Sequence, residues 1–249
     1  MEPILMKRMS KILLVLALLP AAVFASSEVS VDPAPINPND KISLQRGARN
    51  FVNYCLNCHS AQYMRYSRLQ DLGLTEQQIK DYLVPTGGKV GDTMNIAMTK
   101  EDAKAWLGVA PPDLSVEARV RGADWLYTYL RSYYRDDTRP TGWNNLIFPN
   151  VGMPHVLWEL QGTQVLKVSE KAGEGGAKHE EYKLVQDSPG KLAPEQYNQF
   201  VADLVNYLVY MGEPAKSSRT QLGVIVLFFV GVLFVFTMLL KKEYWKDVK

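Results

Sequence analysis

The chain has 249 residues, 47% of them apolar and 22% charged, with a formal net charge of +2 at neutral pH. That length suits one domain of ordinary size with accessories, and so small a net charge gives no reason to propose nucleic acid as a partner. The charge is unevenly placed: with the two ends set aside, residues 26–220 carry 21 basic and 23 acidic side chains.

Near the N-terminus, Lys7, Arg8 and Lys11 precede the apolar run Ile12–Leu19, and Pro20-Ala21-Ala22-Val23-Phe24-Ala25 follows. A basic stretch, a short apolar stretch and small residues before a cut describe an export signal, with cleavage predicted after Ala25. The apolar run is well short of the ~20 residues that a membrane span needs. Residues 26–40 are rich in Ser, Pro, Asn and Asp and read as a linker or extended arm.

A helix is predicted from about Asp40, with Leu44, Ala48, Phe51, Val52 and Cys55 on one face. It leads into Cys55-Leu56-Asn57-Cys58-His59, the attachment pattern of a c-type haem. The two thiols can form thioethers along one edge of the porphyrin, and the imidazole of His59 can then ligate the iron. Competing readings fit less well. A disulfide across two residues would be strained, and a thioredoxin-like pair expects a βαβ context. Zinc would need two more ligands nearby, and His155 and His179 are the only other histidines.

Ser60–Leu72 is aromatic and basic and reads as partly helical. Thr75-Glu76-Gln77-Gln78 is a capping box opening a short helix to about Leu83, and Thr99 opens another that ends at Gly108. Pro111-Pro112-Asp113-Leu114-Ser115 must be extended, and such a rigid strip can lie flat on a haem face or simply join two helices. Arg119 and Arg121 follow; a guanidinium can pair with a haem propionate, although a solvated surface charge is the commoner role. Ala123–Tyr134 is predicted helical, with Leu126, Leu130 and Tyr133 or Tyr134 on one side. A loop with the residues Asn144-Asn145 and Gly152-Met153-Pro154-His155 comes next.

Thr163–Ser169 and Glu181–Asp187 alternate apolar and polar residues around Gly173-Glu174-Gly175-Gly176, a β-hairpin pattern. Pro194 opens a helix with an apolar stripe of Tyr197, Phe200, Val201, Leu204, Val205 and Leu208, closed by Gly212 and Pro214. Leu222–Leu240 holds no charge in 19 residues. As a helix it would be roughly 28 Å long, enough to cross a bilayer. Lys241 and Lys242 follow it, so the C-terminal flank should face the cytoplasm, and Tyr244 and Trp245 suit the interface.

The second axial position decides what such a haem does: an open site binds ligands, whereas a filled one suits electron transfer. Met64 is too near His59 to reach the opposite face, and Met211 ends an amphipathic helix where packing is the ordinary role. Met94 and Met98 lie in and after a Gly-rich loop. Met153, between a permissive glycine and a rigid proline, can be presented inward, with His155 and Met98 as its main competitors.

These motifs together resemble the cytochrome c1 family, the haem-bearing subunits of cytochrome bc1 complexes, in its bacterial form. The resemblance rests on Cys55–His59, on Ala110-Pro111-Pro112-Asp113-Leu114-Ser115 with Arg119 and Arg121 after it, on the Gly152-Met153-Pro154 loop, and on Tyr210-Met211-Gly212-Glu213-Pro214 before an apolar span. It extends over essentially all of residues 41–246, although Pro154-His155-Val156-Leu157 departs from the way mitochondrial members continue the Met loop. The resemblance implies one covalent haem c on Cys55 and Cys58, with His59 and Met153 as axial ligands. It also implies Pro111 or Pro112 against the ring, Arg121 at a haem propionate, and Trp125 as an aromatic near the propionates. The implied activity is single-electron transfer from the Rieske iron–sulfur protein to a soluble cytochrome c, beside cytochrome b, within a quinol–cytochrome c oxidoreductase. By itself the chain would do no chemistry beyond electron transfer. The alternatives are a membrane-tethered haem sensor or a cytochrome subunit of another membrane oxidoreductase.

The expected architecture is mainly α: a c-type cytochrome domain with a small β-hairpin insertion and one C-terminal transmembrane helix. Its parts are a signal peptide (1–25), a periplasmic haem domain (26–216), and a membrane anchor with a short cytoplasmic tail (217–249). The protein would be a single-pass component of the inner membrane, in contact with lipid.

Overall fold

The computed structural model describes residues 30–84, 87–172 and 178–247. The predicted export signal and the Gly173–Gly176 loop lie outside the described residues.

Helix α1 (Lys41–Tyr54) begins where expected, because the Asp40 carboxylate accepts from the amides of Ile42 and Ser43 at 3.0 and 3.1 Å. Its buried face holds Leu44, Ala48, Phe51 and Val52. It stops one residue before Cys55, so the cysteine motif is a turn beyond the helix rather than its last turn. The His59 amide donates to the Cys55 carbonyl at 2.9 Å and closes that turn.

The long helix α7 (Pro194–Gly212) packs against α1, with Tyr197, Val201, Leu204, Val205 and Leu208 buried as its stripe predicts. Gly47 makes the close approach possible: a Cβ there would stand 2.1 Å from the Asp203 carbonyl oxygen and 2.6 Å from the Tyr207 Cβ. The Asp203 side chain locks the crossing. It accepts from Arg46 Nε at 2.6 Å, from the Ser43 hydroxyl at 2.7 Å and from Gln199 at 3.0 Å.

Between these helices run β1 (Ala61–Arg65), a 3-10 turn over Tyr66–Leu72, α2 (Glu76–Tyr82), β2 (Thr93–Met94) and α3 (Lys100–Leu107). The predicted capping box forms: the Gln78 amide donates to the Thr75 hydroxyl, and the Thr75 amide donates back to Gln78 Oε1. Then come α4 (Glu117–Arg121), α5 (Ala123–Arg131), β3 (Tyr133–Arg135), β4 (Trp143–Asn145) and α6 (Trp158–Gln161).

Two segments differ from their sequence-based expectation. Ser60–Leu72 is partly helical as expected, through the 3-10 helix Tyr66–Leu72, but it also holds a strand, because Ala61 pairs with Met94 across 33 residues of chain. The helix predicted over 123–134 ends at Arg131, and Tyr133–Arg135 pairs antiparallel with Trp143–Asn145. The Ser132 hydroxyl donates to the Thr128 carbonyl at 2.6 Å at that end. Aromatic Tyr133 and Tyr134 favour the extended form there.

The predicted hairpin is longer than its alternating core. Strands β5 (Gly162–Ala172) and β6 (Lys178–Pro189) pair antiparallel with Val165 opposite Val185. Each strand pair is a separate two-stranded ribbon, and the fold is mainly α as anticipated. Three residues, Glu213, Pro214 and Ala215, join α7 to α8 (Lys216–Tyr244), and Arg219 Nη1 lies 2.5 Å from Glu213 Oε1 across the joint. Within Ser218–Tyr244, helix α8 carries an 18-residue window of mean hydropathy 2.9, none of it buried by the rest of the chain. Apolar on every side, it is long enough to cross a bilayer.

Candidate functional site

Cys55 and Cys58 are half-buried, and neither is in a disulfide. Burial, and then the neighbouring Cys58, push the Cys55 thiol up to about 12. A catalytic redox pair shows the opposite shift, toward the thiolate. Neither thiol is bonded, and both stand in the turn that α1 leads into.

His59 is buried, and its Nδ1 lies 2.8 Å from the Pro112 carbonyl oxygen. A carbonyl only accepts, so Nδ1 carries the proton and the lone pair of Nε2 is free. Burial holds the imidazole below its ordinary pKa, partly offset by the Pro112 carbonyl and by Asp113 and Glu117, so the ring is neutral. A neutral, oriented imidazole with one free nitrogen is what a metal ligand requires.

The extended Pro111–Ser115 strip is docked on β1 rather than loose. The Gln62 amide donates to Asp113 Oδ2 at 2.9 Å, the Tyr63 amide to the Ser115 hydroxyl at 3.1 Å, and the Leu114 amide to the Ser60 carbonyl at 2.8 Å. This docking fixes the carbonyl that orients His59. A cleft of about 330 Å³ beside it is lined by Cys58, Ser60, Met98, Pro111 and Pro112, among others.

Met153 lies on the loop after β4, half-buried, and its Sδ accepts from the Tyr129 hydroxyl at 3.6 Å. Two adjacent asparagines build that loop. Asn145 Oδ1 accepts from the amides of Ile147 and Phe148, while its Nδ2 donates to the Tyr129 carbonyl at 2.8 Å. Asn144 Oδ1 accepts from the Asn150 amide at 2.8 Å, and Asn150 itself adopts φ 63°, a conformation asparagine tolerates. Sequence reasoning assigned no role to this pair. Its signal was two consecutive amides on a strand otherwise fit for burial, where each must have found partners.

Two strips meet at one edge. A Cβ on Gly152 would stand 3.2 Å from Val109 Cγ1, so the Met153 loop touches the segment leading into Pro111. Arg121 lies with its guanidinium 4.8 Å from the Trp125 ring centroid and pairs with Glu117 at 3.1 Å. Trp125 stacks on Tyr129 at 4.9 Å, nearly parallel. Arg121, Trp125, Tyr129 and Met153 thus form one column. Arg119 points elsewhere, with its stem against Gly212 at the end of α7.

The other histidine and methionine candidates separate by environment. His155 is buried, stacked flat on Tyr133 at 4.8 Å with Trp143 at its edge, and burial pulls its pKa down to about 4. Met64, Met94 and Met211 are packed in the main core. Met98 and Met153 are the partly exposed methionines near the motif's surroundings. Among the described residues, no group of three or more His, Cys, Asp and Glu gathers to hold a bare metal ion. Two unbonded thiols and a neutral imidazole in this spacing, with Met98 and Met153 as partly exposed thioethers, are instead residue types that suit a haem.

A mainly helical domain with such a donor set, joined to one bilayer-length apolar helix, defines a membrane-anchored cytochrome. The chain belongs to the cytochrome c1 family: the model of the Cytochrome C1 family matches residues 33–165 and 185–248. It is similar to cytochrome c1 of Allochromatium vinosum, 49% identical over 237 residues that cover 94% of this chain and 96% of that one. It is also 54% identical over 243 residues to a Nitrosomonas europaea protein named ammonia monooxygenase gamma subunit, with 97% and 99% covered. That name places the Nitrosomonas protein in another enzyme and is said of that protein alone. Cytochrome c1 of Rhodospirillum rubrum is 29% identical over 243 residues, covering 84% of this chain and 83% of its own. The unmatched interval 166–184 falls in the outer part of the β5–β6 hairpin, whose two ends lie in matched residues.

Membership makes this chain the haem-carrying electron-transfer subunit of a cytochrome bc1 complex, anchored in the membrane beside cytochrome b.

Proposed function

We propose that the chain holds one haem c by thioethers to Cys55 and Cys58, with His59 and Met153 as axial ligands. In this role it relays single electrons from the Rieske iron–sulfur protein to a soluble cytochrome c. When bound, the haem supplies the one-electron ferric–ferrous couple. The observation that carries the reading is the 2.8 Å contact of His59 Nδ1 with the Pro112 carbonyl, which leaves Nε2 free on a buried neutral ring beside two unbonded thiols.

The residues divide the work. The docked Pro111–Pro112 strip orients His59 and offers a flat apolar surface to the ring. Arg121, half-exposed and already paired with Glu117, is the cation suited to a propionate, with Trp125 beneath it. Met153 would supply the thioether that holds the iron opposite His59, a ligand type that favours the ferrous state. The chain is processed after Ala25, residues 26–216 form a periplasmic domain, and 217–249 form the anchor with a cytoplasmic tail. Lys241 and Lys242 after the span support that orientation.

Met153→Leu should abolish the low-spin methionine-ligated spectrum, lower the potential and open the ferrous protein to carbon monoxide. Met98→Leu and His155→Phe should change none of these. A wild-type protein that binds carbon monoxide readily would refute the closed His–Met site and return the ligand-sensor reading.

A further inference from the structure

We infer that Tyr129 is a positioning residue for electron transfer: its hydroxyl donates a hydrogen bond to the Met153 thioether and raises the potential of the haem. The inference rests on Met153 being the axial ligand. Tyr129 cannot turn away. Its ring is stacked on Trp125 at 4.9 Å, and it meets Phe148 and Tyr133 edge-on at 6.3 and 5.3 Å. Its hydroxyl oxygen accepts from the Tyr133 hydroxyl at 2.5 Å, and its own proton points at Met153 Sδ, 3.6 Å away. That length is ordinary for a bond to the larger sulfur atom. Tyr133 is 1% exposed, so its hydroxyl has no recourse to bulk water and the chain runs one way, Tyr133 to Tyr129 to Met153.

A thioether sulfur has two lone pairs. One can go to iron while the other accepts from Tyr129. The hydrogen bond draws electron density from the sulfur and makes it a poorer donor. The ferric state, with the higher charge, depends more on that donation than the ferrous state does. The bond therefore favours the ferrous state, in the same direction as the methionine itself. A tyrosine on a methionine is not enough alone: Tyr207 donates to Met94 Sδ at 3.6 Å as well. Met94 is wholly buried in the main core, whereas Met153 is half-exposed on a loop held by Asn144 and Asn145.

The test uses the detergent-solubilised complex with its haem, and Tyr129→Phe, which keeps the ring stack. Equilibrium redox titration should show the ferric form favoured about threefold more than in wild type, a midpoint about 28 mV lower at 59 mV per tenfold. The red charge-transfer band of methionine-ligated ferric haem should persist at a shifted wavelength. Tyr133→Phe should move the midpoint the same way by less. An unmoved midpoint in Tyr129→Phe with the band intact would overturn this inference alone. Loss of the band in Tyr129→Phe, with Tyr133→Phe unmoved, would also overturn it and make Tyr129 a packing residue. A Met153→Leu protein that keeps the band would overturn the ligand assignment beneath it.

Discussion

Gly47→Ala should destabilise the domain although alanine is the better helix former. A methyl group at this position would stand 2.1 Å from the Asp203 carbonyl oxygen, 2.6 Å from the Tyr207 Cβ and 2.9 Å from the Asp203 carbonyl carbon. Two of the three are backbone atoms of α7, so no side chain can swing aside and the two helices must separate. Overpacking costs about 1–3 kcal/mol, and the upper end applies against backbone. Separation also stretches the bonds from Ser43 and Arg46 to Asp203, about 1 kcal/mol each. The helix-propensity gain returns about 1 kcal/mol. The net loss is about 3–4 kcal/mol, which for a domain of this size lowers Tm by roughly 6–16 °C. The assay is thermal unfolding of the haem-loaded protein followed by circular dichroism and by the haem absorption. Gly91→Ala, with open space around it, serves as the control and should stay within about 0.5 kcal/mol of wild type. An unchanged or raised Tm in Gly47→Ala would refute the reasoning, because the α1–α7 contact would then be soft.

Asp203→Asn should lower stability by about 2 kcal/mol, less than a fully buried ion pair would lose, because the Arg46 side chain is 41% exposed and can turn to water; denaturant midpoints compared at constant slope measure it. Asn145→Ala removes acceptors for two amides and a donor to the Tyr129 carbonyl at a site with no exposure, so a loss of about 3 kcal/mol is expected. Heating that variant should erase the methionine-ligation band well before circular dichroism reports unfolding; simultaneous loss would contradict the loop's dependence on Asn145. Replacing residues 166–184 by a two-residue Asn-Gly turn should leave haem content, spectrum and Tm as in wild type, since the family model does not match this interval and Val165 and Val185 already face each other across the ribbon.

The parts legible beforehand were those whose cause is local. Asp40 and Thr75 cap their helices through bonds spanning two or three residues, and the stripe of α7 needs only its own periodicity. The cysteine motif and the span are likewise self-contained strings. What stayed hidden depends on distant partners. Ala61 becomes a strand residue because Met94 lies opposite, and Tyr133 leaves its helix because Asn145 pairs with it. The contrast between Arg119 and Arg121 is of the same kind. Two residues apart on one short helix, they diverge because Gly212 offers one a seat and Trp125 offers the other a ring. His155 was a rival ligand on spacing alone; only the stacking of Tyr133 and Trp143 around it shows a ring absorbed into a small aromatic core.

The joint between α7 and α8 has a mechanical consequence. Three residues reach at most about 11 Å when fully stretched. Here one is a proline with a fixed φ, and an ion pair from Arg219 to Glu213 bridges the gap. The haem-bearing domain therefore has no leash on which to sweep the surface of the bilayer. It is a mooring post, and travel falls to whatever carriers berth against it. Inserting a flexible loop of ten residues after Gly212 would give it room to roam, and turnover would then depend on how often it happened to face its partners.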